Sequence, residues 1–347
     1  MPTAKTEATE LAVGFGILDL DPLDHLSKDE IGRFFDGTLP EDKYNRFLEE
    51  YSSNPDFYSR FYEVGRHLRS QHHPVSHSST VQWTGPQQQA ATATFSKDLL
   101  VGDIPISVKA DSNVVANLSP YNLFISLPSG SAPASHEENW YQKTTPRGFQ
   151  ELYSFVRDSD TSLSYLPAEV SAFEQQATKE DRNRVQAVIK NYSNSESRQF
   201  KTNYLQMCHE VANISADIFN ENMKNSLESS SRIAILEHLS RWFFRINAIR
   251  YIICGIDHGE DFSVLIPDIT SWKNDWKNRV IEAVPDLSRG QSVVDFAVEL
   301  TKKGSGQTHT ALFHSEIRWS HGRFCGNPEG KLYKDFPWEA LPFFTSL

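Results

Sequence analysis

An α/β (α+β) protein is expected from this chain: a mixed central β-sheet with flanking helices, followed by a largely helical C-terminal region. Three observations lead there. Short apolar runs between residues 80 and 127 have the lengths and turn punctuation of strands. Ahead of them, residues 24–71 repeat apolar side chains at helical spacing behind good capping residues. Beyond them, residues 169–190, 199–227 and 231–254 read as three long amphipathic helices.

Taken in order, residues 1–10 are polar and are expected to be disordered. Ser27 with Glu30 makes a capping box before Ile31, Phe34 and Phe35. Pro40-Glu41-Asp42 opens a second helix, and Asp56 is placed to cap a third whose stripe is Phe57, Phe61, Val64 and Leu68. Strands are expected at 80–83, 91–101 and 104–109, with short apolar segments at 114–117 and 123–127. Polar punctuation at 158–162 closes this region. After the long helices, 262–267 and 310–319 read as strands, and 292–301 fits a strand or a helix. The apolar residues of 336–344 read as a tail docked on a core.

Composition narrows the function classes. With 347 residues, 39% hydrophobic and 23% charged, the chain is of ordinary globular type. It lacks the roughly 18 consecutive apolar residues of a membrane span, and its first ten residues lack a signal-peptide core; an intracellular, cytoplasmic protein is expected. Cys208, Cys254 and Cys325 are far apart, which argues against a disulfide framework or structural zinc. No P-loop, dinucleotide fingerprint or nucleophile elbow occurs, so ATPase, dinucleotide-enzyme and serine-hydrolase readings lose their main support. The net charge of −11 weighs against nucleic acid, although charge can be segregated. Arg66 and Arg69, beside His72 and His73, form one local basic cluster.

The most informative segment is 96–112. Leu99-Leu100-Val101 and Ile104-Pro105-Ile106-Ser107-Val108 flank Gly102-Asp103, which reads as a tight hairpin turn. Strand alternation puts Ser107 and Lys109 on one face, and Asp98 can oppose Lys109 across the pair. A carboxylate that holds Mg²⁺ and a lysine that orients water are half of a phosphodiesterase site. The same residues also fit a solvated ion pair, worth under about 1 kcal/mol.

Asp98 followed by Ser107-Val108-Lys109 resembles the PD-(D/E)xK, or restriction-endonuclease-like, nuclease superfamily over roughly residues 55–130. Its pattern is an acid at the start of one strand, then acid-x-Lys in the next. Serine at 107 departs from it, as in some type II restriction endonucleases where a glutamate from a neighbouring helix fills the vacant ligand position. The resemblance implies a nuclease-like core over 11–160, followed by 161–347 as a mostly helical region with a C-terminal strand segment. It implies Mg²⁺ on Asp98, water positioning by Lys109 and support from Ser107. Glu63, on the helix before the sheet, is the candidate for the missing acid, with Asp103 a weaker one.

Candidate DNA contacts are Arg66, Arg69, Gln82, Trp83, Gln87 and Asn113 near the hairpin, and Arg318 and Arg323 near the C-terminus. Arg318 belongs to a strand face with His314 and Glu316 that could be a second catalytic site or could read bases, since arginine bonds bidentately to guanine. The expected function is Mg²⁺-dependent cleavage of double-stranded DNA by a type II restriction enzyme or related anti-phage defence nuclease acting as a homodimer. The alternative is a catalytically inactive nucleic-acid-binding or protein-interaction module on the same fold, kept open by Ser107.

Overall fold

The computed structural model describes residues 4–85, 97–228 and 232–347. They form an α+β protein of two compact units. The first comprises residues 1–113, 244–276 and 336–347, and the second 114–243 and 277–335. The boundary therefore falls after Asn113 rather than near residue 160, and the first unit is assembled from three stretches of chain.

Four helices open the first unit: α1 (Ala4–Leu18), α2 (Lys28–Phe34), α3 (Glu41–Ser53) and α4 (Pro55–Gln71). The Ser27–Glu30 capping box forms as expected at α2. The cap of α4 is Asn54 with Pro55 in the first turn, so Asp56 lies inside the helix. Helix α1 includes residues 4–10, where disorder was expected, and every residue from Glu7 to Leu18 is buried. The acids that read as solvated are Glu7 and Glu10. Lys43 bonds both oxygens of Glu7 at 2.8 Å, and the Trp83 indole reaches Glu10. Both partners are remote in sequence, which is why local pattern missed them. Helices α1 and α4 cross at Gly16 and Gly65; a Cβ on either would fall 2.0 or 2.2 Å from a backbone oxygen of the other helix. Phe15 of α1 stacks between Phe35 and Phe47, each ring centroid 5.1 Å away.

The sheet of this unit contains β1 (Gln82–Trp83), β2 (Leu99–Val101), β3 (Ile104–Ala110), β5 (Tyr251–Asp257), β6 (Glu260–Ile266) and β11 (Thr345–Ser346), in that spatial order. Among the named strands of the described residues only β3 and β5 pair in parallel, and the chain linking them runs through residues 114–243, the first stretch of the second unit. The hairpin β2–β3 turns at Gly102-Asp103 as read from sequence, with Leu99 opposite Ile106. Residues 91–96 of the expected longer strand lie outside the described residues. One face of β2, β3 and β5 (Leu99, Val101, Ile106, Val108, Ile252, Cys254) joins the core under α1 and α4.

The second unit carries a five-stranded sheet in the order β4 (Val114–Leu118), β10 (Glu329–Lys334), β9 (Thr308–Arg318), β8 (Ser292–Lys302) and β7 (Trp276–Asp286). Its long helix, Asn194–Leu227, begins at a Ser193–Glu196 capping box and packs on β8. Phe124, Trp140, Phe219, Phe243 and Phe313 surround Phe296 or its neighbours in the core. Three expectations change here. Residues 122–126 form a helical turn, not an extended segment. The stretch 169–190 divides into two helices at Ala177-Thr178. The apolar run 231–254 ends as helix at Phe243 and becomes β5 from Tyr251. The region 161–347 is thus not mostly helical, since it supplies seven strands, β5 to β11. Among the described residues no helix is long and apolar enough to cross a membrane.

Candidate active site at the edge of β2 and β3

Asp98 immediately precedes β2, and its carboxylate is fixed by the neighbouring strand. Oδ2 accepts the backbone N–H of Val108 at 2.7 Å and the Ser107 hydroxyl at 3.3 Å. The Asp98 N–H donates to the Ile106 carbonyl while Leu99 pairs with the same Ile106. Two residues thus oppose one, the pattern of a β-bulge, which re-aims a side chain at a strand end. Ser107 is completely buried and bonded to Asp98, so the serine at the departed motif position props up the first acid.

Lys109 follows on β3. Burial, and then the nearby Arg245 guanidinium, lower its ammonium to about 8, while Asp98 and Glu10 pull in the opposite direction. The strand beside it is shaped to that position. Gly255 of β5 pairs with Lys109 at φ +135°, and a Cβ there would lie 1.9 Å from the Lys109 carbonyl oxygen. Only glycine allows this approach.

The further acid comes from α1. Glu10 is 7% exposed, and its Oε2 accepts the Trp83 indole N–H at 2.8 Å. Burial and the neighbouring Asp98 carboxylate raise its carboxyl to about 8; the Trp83 hydrogen bond and Lys109 act against that rise. Two carboxylates and a lysine thus share one interior neighbourhood. Cys254 borders it, its thiol pushed well up by burial and by the Asp98 charge. Arg245 is buried at φ +55°, with its carbonyl accepting the Tyr251 hydroxyl at 2.8 Å.

Glu63 does not belong to this group. Its side chain is 59% exposed on α4 and pairs with Arg66 at 3.4 Å. Asp103 is exposed in the hairpin turn, as its turn position requires. Arg66 also bonds Asp19 at 3.2 Å, and Arg69 donates to the Ile17 carbonyl at 2.7 Å, closing the end of α1. Gln82 bonds Asp36 at 2.7 Å. Trp83 is buried, so it holds Glu10 and has no face open to nucleic acid. Gln87 lies outside the described residues, and Asn113 is half-buried at the end of the first unit. Arg318 and Arg323 lie in the second unit, where Arg318 bonds Glu316 at 3.0 Å.

Sequence reading missed Glu10 and Arg245. For Glu10 the available signal was a glutamate followed by Leu11-Ala12-Val13, an acid set directly against an apolar helix. For Arg245 it was a charge interrupting the apolar run 242–256. Among the described residues no three His, Cys, Asp or Glu side chains form a ready metal cage. Magnesium is ordinarily held through one or two carboxylates, waters and substrate phosphate. Glu10 and Asp98 are two acids of that kind, near enough for the Asp98 charge to raise the Glu10 carboxyl. Compared with protein-family models, curated proteins and solved structures, the chain matches none.

Proposed function

We propose that this protein is a Mg²⁺-dependent endonuclease that hydrolyses DNA phosphodiester bonds, of restriction-endonuclease-like type. The observation that carries the reading is the convergence of Glu10, Asp98 and Lys109 on the β2–β3 edge. It reproduces the sequence pattern with a helix glutamate in place of the acid that Ser107 lacks, and the helix precedes the sheet. Glu10, not Glu63, takes that role.

Glu10 and Asp98 would hold the cation, which when bound polarises the scissile phosphate and lowers the pKa of water. Asp98 is pre-oriented for this by Val108 and Ser107, and Glu10 by Trp83. Lys109 orients the attacking water and counters the charge that builds on phosphorus-bound oxygens. Its lowered pKa, about 8, lets it exchange a proton near neutral pH. Arg245 adds a second buried positive charge beside Lys109. A cytoplasmic homodimer, whose two-fold axis matches that of duplex DNA, completes the proposal.

The test is incubation of duplex DNA with the protein in Mg²⁺ and in EDTA, with Asp98→Ala, Glu10→Gln and Lys109→Ala in parallel. Cleavage in Mg²⁺ that all three substitutions abolish supports the reading. DNA bound but never cut would favour the inactive binding module, and neither binding nor cutting would remove both.

A further inference from the structure

The second unit holds a cavity of about 410 Å³ near the ends of β9 and β10. Arg318, Arg323 and Lys331 line it together with Gln291, Ser320 and Tyr204, and no Asp or Glu does among the described lining residues. In a chain of net charge −11, three cations around one cavity run against the average. Two of them pair with carboxylates: Arg318 with Glu316 at 3.0 Å and Lys331 with Glu329 at 3.4 Å, and the Ser320 hydroxyl also donates to Glu329. Arg323 is different. Its guanidinium lies 4.1 Å from the Tyr204 ring centroid, and it makes no ion pair among the described residues. Its Nε is buried without a hydrogen-bond partner there. That Nε is enclosed by protein atoms, so a ligand in the cavity would meet the guanidinium through its other N–H groups.

Stacking on an aromatic ring leaves the edge of a guanidinium available, and that fork matches phosphate oxygens. The volume lies within the range of small-molecule sites, about 300–1,000 Å³, and leaves room beyond a phosphate. We propose that this cavity binds a phosphate-bearing ligand of mononucleotide size. The phosphate meets Arg323, Arg318 and Lys331, and the polar body of the ligand meets Gln291 and Ser320. A free nucleotide and a nucleotide within a nucleic-acid chain share this chemistry. The site does not depend on the nuclease reading, because it involves none of Glu10, Asp98 or Lys109.

Isothermal titration of the full chain in EDTA tests it, with inorganic phosphate, the four deoxynucleoside 5′-monophosphates, the nucleosides and a 5′-phosphorylated single-stranded oligonucleotide. Saturable, salt-sensitive binding of phosphate-bearing probes is expected. Arg323→Gln and Lys331→Gln should each weaken it about tenfold or more, the scale of one lost charge-assisted hydrogen bond. Mononucleotide binding assigns a free ligand, whereas oligonucleotide binding alone, lost in both variants, assigns a chain. Nucleosides binding as well as nucleotides, no probe binding, or variants that bind like the parent would each overturn the site. If Arg323→Gln melts below the assay temperature, Lys331→Gln decides alone, since Lys331 is not part of the aromatic stack. Cleavage is not measured, so this result and the nuclease result fail separately.

Discussion

Two groups of charges, one in each unit, are arranged differently. In the second, three charged groups on β9 and β10 have close partners: His314 with Asp335 at 2.7 Å, Arg318 with Glu316 at 3.0 Å, Lys331 with Glu329 at 3.4 Å. In the first, Glu10 and Asp98 are set near one another in the interior, with Lys109 beside Arg245. Paired charges on a sheet face cost the fold little. An acid buried beside another carboxylate is made to keep its proton, and groups perturbed in this way are candidates for a ligand site. His314, Glu316 and Arg318 were a second catalytic candidate in the sequence, and their pairing gives the first unit the stronger claim.

The sharpest way to break this comparison is to remove charge from each region and measure DNA cleavage. Lys109→Ala and Asp98→Ala are expected to lower the single-turnover rate by about 10³-fold or more, since each removes transition-state charge stabilisation. His314→Ala is expected to leave the rate within about threefold and to cost on the order of 1 kcal/mol of stability, the scale of one hydrogen bond. A dead His314→Ala enzyme beside an active Lys109→Ala enzyme would exchange the roles of the two units.

A second substitution probes how tightly the first unit is built around Lys109. Gly255→Ala places a methyl group 1.9 Å from the Lys109 carbonyl oxygen at a φ that L-residues rarely adopt. The loss in chemical denaturation should be about 3 kcal/mol or more, because backbone cannot step aside as a side chain can. Gly259→Ala, at positive φ but with open space around it, should cost much less. Equal losses at the two glycines would mean that the close approach at Lys109 carries no particular strain.

Much of this frame was legible in the chain. The capping box at Ser27, the hairpin at Gly102-Asp103 and the Asp98–Ser107–Lys109 triplet all depend on residues within about a dozen positions, where local rules operate. The errors have one physical origin. Glu10 meets Trp83 across 73 positions, and Lys109 meets Gly255 through a parallel pairing whose crossover contains residues 114–243 of the second unit. Glu63 was chosen because its helix precedes the sheet, but the acid that lies near Asp98 is Glu10 of α1. Nothing local shows that α4 turns Glu63 to solvent while α1 is buried along its length.

Titration sharpens the comparison further. Above about pH 4.5 the unfolded chain has released the Glu10 proton that the folded state keeps up to about 8. Stability contributed by that proton is complete below pH 4.5 and is lost as pH rises through 8. Lys109 works in the adjoining window. Its ammonium is lowered from 10.5 to about 8, so the unfolded chain binds more protons between those values and stability recovers as pH climbs. The difference in melting temperature between parent and Glu10→Gln should therefore shrink in acid and widen toward pH 8. Mg²⁺ should raise the melting temperature of the parent more at pH 8 than at pH 5.5, and that gain should vanish in Glu10→Gln. A difference that is flat across this range would show that Glu10 is not held among like charges.

The smallest expected effect comes from Trp83, which separates positioning from contact with nucleic acid. Its indole N–H is the donor that favours the ionised form of Glu10, against burial and Asp98. Trp83→Phe keeps an aromatic ring and removes that donor together with part of the buried indole, at a cost of about 1–3 kcal/mol. The Glu10 carboxyl should then rise still higher. At neutral pH, a ligand that needs the carboxylate must displace a proton more tightly held, so more Mg²⁺ should be required for half-maximal rate. Raising the pH should bring the Mg²⁺ requirement back toward the parent's, because Glu10 is then ionised with or without the donor and no proton has to be displaced. DNA affinity measured in EDTA should not change, since a buried indole offers no surface to the duplex. A fall in DNA affinity with an unchanged Mg²⁺ requirement would return Trp83 to the groove-lining role that its sequence neighbourhood first proposed for it.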